Sequence, residues 1–243
     1  MVKRERADLL LVARGLFESR ARAQAAIAAG RVTADGSVIR KPSDEISSIA
    51  VITAVPAHPY VSRGGVKLMA VLEALSINVT DRVCLDVGSS TGGFTEVLLA
   101  RGARHVYAVD VGRAQLHTKL RNRERVSSIE PTDIRDLDRS CFSESPDFAA
   151  IDVSFISLKL VLPHVGRLLM PSATLLALIK PQFEVGRRDV KKGIVRDATV
   201  QATICDDIAN FLAQLGWRIG GRVPSPLLGG DGNREFFIEA QRG

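Results

Sequence analysis

Three charged side chains end or interrupt apolar stretches where a solvated surface charge would be out of place. Asp86 follows Val83-Cys84-Leu85, Asp152 follows Phe148 to Ile151, and Lys180 follows the run from Thr174 to Ile179. Glu235 opens another apolar stretch directly after the turn-forming string Gly229-Gly230-Asp231-Gly232-Asn233. Open α/β sheets hold their ligands at the carboxyl ends of strands, where such residues would sit. A lysine drawn into low-dielectric surroundings gives up its proton more readily and becomes usable as a base. Each residue taken singly also reads as a cap or an ion-pair partner.

The second chemical feature is a glycine loop. Val83 to Val111 reads as an apolar run ending in Asp86, then Gly88-Ser89-Ser90-Thr91-Gly92-Gly93, then an amphipathic segment with Phe94, Val97 and Leu98 on one face. A second apolar run, Val106 to Val109, ends in Asp110. This is the pattern of a strand, a turn, a helix and a strand, the unit of a parallel sheet. Dinucleotide folds use GxGxxG to receive a pyrophosphate. Here the loop is GxxxGG beside an acid, which a pyrophosphate would not favour. An acid at the loop suits a cationic ligand, and Asp110 at the next strand end suits a ribose diol. S-adenosylmethionine carries an ammonium, a sulfonium and a ribose, so a methyl-donor site is the better reading than a bare structural turn.

The totals agree with a soluble globular protein. The 243 residues are 46% hydrophobic and 25% charged, with a formal net charge of +6, which points weakly to a polyanionic partner. Cys84, Cys141 and Cys205 are odd in number and far apart, against a disulfide framework and for a reducing, cytoplasmic setting. There is no CxxC, and His58, His105, His117 and His164 lack ligand spacing, so no metal is expected. The apolar run Leu9 to Val12 is too short for a signal sequence, and nothing approaches a membrane span. Oligomeric state is not legible.

Residues 4–54 read as a separate small module. Ser19 caps a helix through Ala29, Gly30 ends it, and Asp35-Gly36 turns a hairpin. Residues 1–60 hold nine Lys/Arg and six Asp/Glu, so half the net charge lies in a quarter of the chain. Arg4, Arg6, Arg14, Arg20, Arg22 and Arg31 crowd here. The string RADLLLVARGLFESRARAQAAIAAGRVTADG resembles the S4-type RNA-binding domain, with Asp8, Leu11, Gly15, Ser19, Arg20, Ile27, Gly30, Val32 and Gly36 on its pattern. The resemblance implies docking on structured RNA through phosphates, with Arg4, Arg6, Arg20, Arg22 and Arg31 as contacts.

Val55 to Gly65 reads as a linker, and Lys67 begins a helical pattern with Leu68, Val71, Leu72 and Leu75 on one side. Strands are predicted at 83–86, 106–109, 126–129, 148–151, 174–179, 218–223 and 235–239, alternating with helices. Asp197 caps the last helix. The expected architecture is α/β: a doubly wound, Rossmann-like methyltransferase sheet over residues 61–243 and a small α+β S4-like domain over 1–60.

Lys67, Asp152, Lys180 and Glu235 resemble the Lys-Asp-Lys-Glu tetrad of FtsJ-like RNA ribose 2′-O-methyltransferases. The whole chain is similar to the TlyA family, through SRGGVKL (Ser62 to Leu68), LDVGSSTGGFT (Leu85 to Thr95), IDVSFISL (Ile151 to Leu158), IKPQFEVGR (Ile179 to Arg187), GIVRD (Gly193 to Asp197) and GNREF (Gly232 to Phe236). The resemblance implies S-adenosylmethionine bound by Asp86, Gly88, Ser89, Ser90, Thr91, Gly92, Gly93, Phe94, Asp110 and Asp133. It also implies 2′-O-methylation of cytidines in ribosomal RNA of the large subunit, in some members also the small one, with RNA or ribosomal subunits as partners. Asp133 departs from the family's asparagine, which leaves its adenine contact open, and Glu239 lies on the same strand as Glu235. Arg187, Arg188, Lys191 and Lys192 either hold RNA phosphates or form a solvated charge run. The competing classes are a catalytically dead RNA-binding protein and, from the family's older haemolysin naming, a membrane-active protein. The second needs an inserting amphipathic segment, and none is visible.

Overall fold

A computed structural model describes residues 2–185 and 193–243; Arg187, Arg188, Lys191 and Lys192 lie outside the described residues. The chain forms two compact units, Met1–Pro59 and Tyr60–Gly243. In the first, strand β1 (Arg4–Arg6) leads into helix α1 (Ala7–Ala13), followed by α2 (Arg20–Ala28) and strands β2 (Val32–Ala34), β3 (Ser37–Val38), β4 (Glu45–Ser47) and β5 (Ile52–Ala54). Strands β3, β2 and β5 form one antiparallel sheet, and β1 pairs with β4. Leu11, Ala23, Ala26, Ile27 and Val32 fill the core between them. Ser19 Oγ accepts from Arg22 N and starts α2 as its sequence predicts. The strands β1, β4 and β5 have no sequence signal, since three residues show no period and no hairpin turn like Asp35-Gly36 marks them.

The second unit is a seven-stranded sheet. Helix α3 (Arg63–Ala74) precedes β6 (Val83–Val87), α4 (Gly93–Ala100), β7 (His105–Val109), α5 (Thr118–Arg121), β8 (Val126–Ile129) and β9 (Phe148–Ile151). Then come α6 (Leu158–Leu168), β10 (Thr174–Ile179), α7 (Pro181–Glu184), α8 (Ala198–Gln214), β11 (Arg218–Pro224) and β12 (Phe236–Gln241). The order is β11-β12-β10-β9-β6-β7-β8. The neighbours from β10 through β8 run parallel, while β12 is antiparallel to both its neighbours. Alternate strand residues face opposite layers. Leu85, Val109, Ile151, Ala177 and Ile179 pack with α6 and α8, whereas Cys84, Val106, Phe148, Leu178 and Phe237 pack with α3 and α4. The sheet reverses direction of winding between β6 and β9, which is where a ligand crevice opens.

Two expectations change. Helix α3 begins at Arg63, four residues before Lys67, so the SRGG string is its first turn and not linker. Glycine disfavours helix by roughly 1 kcal/mol, but here it permits close packing. A Cβ on Gly65 would lie 2.5 Å from the Tyr60 ring, and one on Gly93 would lie 2.8 Å from Gly65 N and 2.1 Å from Ser62 Oγ. Asp86 does not end its strand either, since β6 continues to Val87.

The contact of α3 with α4 therefore depends on Gly93. Ser62 can rotate away from an added methyl, but the Gly65 backbone cannot. Gly93→Ala should lower stability by about 1–3 kcal/mol, the usual effect of overpacking. A urea midpoint equal to the parent's would show that the helices separate freely there.

Candidate active site

Sheet register brings three of the four sequence-predicted reactive groups to one edge. Ile179 pairs with Phe236, so Lys180 and Glu235 follow on the next rung of β10 and β12. Ala177 pairs with Ile151, and Asp152 leaves β9 immediately after. Its N–H donates to Val87 O at 2.9 Å, which ties the end of β9 to the end of β6. Lys67 reaches the edge from α3, in the neighbouring layer.

The four groups form two ion pairs. Lys67 Nζ donates to Glu235 Oε2 at 2.5 Å, and the side chains are 8% and 3% exposed. Lys180 Nζ lies 2.6 Å from Asp152 Oδ1, a charge contact without hydrogen-bond alignment, and donates to Ser154 Oγ at 2.8 Å. Glu239 is also buried but accepts from Gln241 Nε2 at 2.7 Å, so Glu235 is the carboxylate that meets a lysine. A buried pair seldom increases stability over an apolar replacement, which makes a chemical role the better reason for keeping Lys67 and Glu235.

The glycine loop packs tightly against the end of β9. Gly88 has φ +81°, and a Cβ there would stand 2.4 Å from the Asp152 carbonyl oxygen. Asp86 lies beneath, with no exposure; its Oδ2 accepts from Thr95 Oγ1 at 2.6 Å, and its Oδ1 has no hydrogen-bond partner. Burial pushes its pKa up to about 7, against the Thr95 hydrogen bond. Ser89 Oγ is likewise buried and unpartnered.

A cavity of about 290 Å³ opens beside the loop, lined by Gly88, Ser90, Asp110, Asp133 and Asp152 among others. Asp110 Oδ2 accepts from Ser90 N at 2.8 Å and Oδ1 from Gly112 N at 2.7 Å; a carboxylate has lone pairs to spare for a further donor. Asp133 is held by Arg135, whose guanidinium keeps its carboxyl below the usual range. Thr91, Gly92 and Gly93 lead into α4 without lining this cavity, and the Phe94 ring packs inward, 6.3 Å from that of Phe237. Ser154 and Phe155 are among the wall residues not foreseen. Phe155 has φ +64°, is 89% exposed, and leans on Phe183 at 5.1 Å. A bulky residue in left-handed backbone is strained, and such strain gathers at functional sites. The string IDVSFISL places Phe155 three residues after Asp152, but its outward turn is set by the backbone and has no sequence pattern.

The arginines of the first unit have intramolecular partners. Arg4 Nη2 donates to Glu45 O at 2.5 Å and Arg31 Nη1 to Pro56 O at 3.2 Å, while Arg6 and Arg20 converge on Asp8. Asp8 has no exposure, and the Arg6 hydrogen bond, foremost among its partners, holds its carboxyl far below the usual range. Arg22 is half-buried.

A raised carboxyl pKa has a definite sign in stability. The Asp86 contribution is fully present below its unfolded value near 3.8 and is lost as pH rises to about 7. Asp86→Asn should therefore flatten the fall in unfolding free energy across that window, as read from urea midpoints at a series of pH values. Parallel profiles for parent and variant would contradict the burial argument.

Comparison with known proteins fits this geometry. Residues 60–242 match the FtsJ-like methyltransferase family and residues 5–51 the S4 domain. The 16S/23S rRNA (cytidine-2′-O)-methyltransferase TlyA of Mycobacterium tuberculosis is 44% identical over 241 residues, 98% of this chain and 90% of the relative. A solved Streptococcus thermophilus protein bearing a hemolysin name superposes with TM-score 0.79 at 40% identity, covering 100% of this chain and 90% of that one. The N-methyltransferase NodS of Bradyrhizobium japonicum, solved with S-adenosyl-L-homocysteine, shares the fold alone at TM-score 0.53 and 15% identity, over 75% of this chain and 89% of its own. With three quarters of its length matched and its strand-end pairs in register, the chain belongs to the FtsJ-like methyltransferase family and carries an S4 domain ahead of the catalytic sheet.

Proposed function

We propose that this protein methylates the 2′-hydroxyl of a cytidine ribose in ribosomal RNA, using S-adenosylmethionine. The observation that carries the reading is two lysine–carboxylate pairs, the buried Lys67–Glu235 and the partly buried Lys180–Asp152, at the edge of a methyltransferase sheet. The cofactor fits the residues present. A fully buried carboxylate oxygen of Asp86 and the Ser89 hydroxyl both lack partners, and an ammonium-bearing ligand is suited to both. Asp110 and Asp133 on the cavity wall suit the ribose and the adenine. The RNA part rests on the S4 match and on the relative from M. tuberculosis, whose name specifies a ribosomal cytidine.

Bound S-adenosylmethionine supplies a methyl group already activated by its sulfonium. The chain's own residues then have to place and deprotonate a poor nucleophile. Lys180 Nζ, fixed between Asp152 and Ser154, orients the 2′-hydroxyl as an ammonium, or accepts the hydroxyl proton once it is the neutral amine. Lys67 and Glu235 neutralise each other beside it and keep the local charge balanced. Holding the hydroxyl in line supplies much of the acceleration. The exposed Phe155 ring at the cavity lip offers a face on which an unstacked base can lie. Within this division of labour, residues 1–60 dock RNA and residues 61–243 perform the chemistry.

Mapping of 2′-O-methyl marks on ribosomal RNA with and without the protein tests the substrate. Lys180→Ala should bind cofactor and RNA normally and methylate roughly 100- to 10,000-fold more slowly. Lys180→Arg should not rescue it, since guanidinium stays protonated; full activity in that variant would make the residue a positive charge and nothing more. Phe155→Ala should raise the RNA KM with cofactor affinity unchanged, and an unchanged KM would remove the stacking role.

A further inference from the structure

Asp8 is the only buried acid among the described residues of the first unit. Its carboxylate accepts from Arg6 Nε at 3.1 Å and Nη2 at 3.2 Å, from Arg20 Nη2 at 2.9 Å, and from Gln24 Nε2 at 2.8 Å. Arg6 ends β1 and Arg20 opens α2, so two elements are pinned to one side chain. The Arg6 and Arg20 side chains stay 45% and 54% exposed. Both Nη2 atoms rest on the same oxygen, Oδ2, which makes the two guanidiniums close neighbours.

An ordinary salt bridge would need one arginine. Here two like charges are gathered around one buried counter-charge, leaving a net positive group at the surface. Each guanidinium has five N–H donors, and the contacts to Asp8 engage two nitrogens of Arg6 and one of Arg20. The remaining donors sit on side chains whose rotamers are already restricted, so little entropy remains to be lost when an anion arrives. Planar guanidinium forks match phosphate oxygens, and a pair held side by side can grip one phosphate from two directions. The net charge of the module favours such a ligand, although Glu45 stands opposite Arg6 across β1 and β4 and Glu18 lies two residues before Arg20. The first turn of α2 holds no acid, and residues 1–60 carry three more basic than acidic side chains.

We infer that Asp8 is a positioning residue that presents Arg6 and Arg20 as a preformed clamp for a backbone phosphate of the RNA substrate. The inference rests on the ribosomal RNA reading above. It makes a prediction opposite in sign to simple electrostatics. Removing an acid from an RNA-binding surface ordinarily strengthens binding, because it raises the positive potential.

Binding of the full chain to a ribosomal RNA transcript, measured across a salt series, decides the matter. Glu5→Gln, which removes an acid paired only to Lys3, serves as the charge control and should bind as tightly as the parent or tighter. Asp8→Asn should bind on the order of tenfold more weakly, the scale of one charge-assisted contact, despite its added positive charge. Arg20→Lys keeps the charge and the fold but loses the fork, and should weaken binding by a similar factor; this variant carries the test if Asp8→Asn melts below assay temperature. Tighter binding by folded Asp8→Asn, or parent-like binding by Arg20→Lys, would overturn the clamp while leaving the methyltransferase reading intact. A parent chain with no affinity for the transcript would overturn both.

Discussion

A lysine ammonium withdrawn from water must meet a carboxylate in close geometry, or it is a large liability. In this protein that requirement joins residues 168 positions apart, Lys67 on α3 and Glu235 at the start of β12. The layers obey it. Helix α3 can lie close against α4 because glycines occupy its first turn and the start of α4. The same edge holds Lys180 and Asp152, so the two buried lysines among the described residues both lie where the strands end. Burial of the reactive groups and tight packing of the helices are thus a single constraint.

Much of this was legible in the chain because the sheet has strong periods. Apolar runs ending in Asp152 and Lys180 located strand ends correctly, and the parallel order of β10, β9 and β6 converts those ends into neighbours. Asp197 started α8 for a reason of capping that is local and therefore readable. Asp86 was located but misjudged by one residue of strand, since a buried acid inside a strand has no distinguishing pattern.

Other features could not be read from spacing. The start of α3 at Ser62-Arg63-Gly64-Gly65 contradicts helix propensity and is decided by what lies against it. Phe94 falls within the glycine-loop motif, yet its ring belongs to the core with Phe237. Phe155 has the reverse character, an aromatic that composition assigns to a core and backbone geometry turns outward. The sharing of Asp8 between Arg6 and Arg20 is likewise tertiary: the residues lie on β1, α1 and α2, and only the fold brings them to one point.

The antiparallel strand β12 is inserted between β10 and β11 although it follows both in the chain. Until it arrives, β10 has an open edge, β11 has no sheet to join, and Lys67 has no counter-charge. The reacting centre therefore cannot mature strand by strand alongside the parallel half of the sheet. Assembly of the fold and assembly of the charge network finish in the same event, so a partly folded chain is a scaffold without a complete site, and catalytic competence is itself a report on the closure of the sheet.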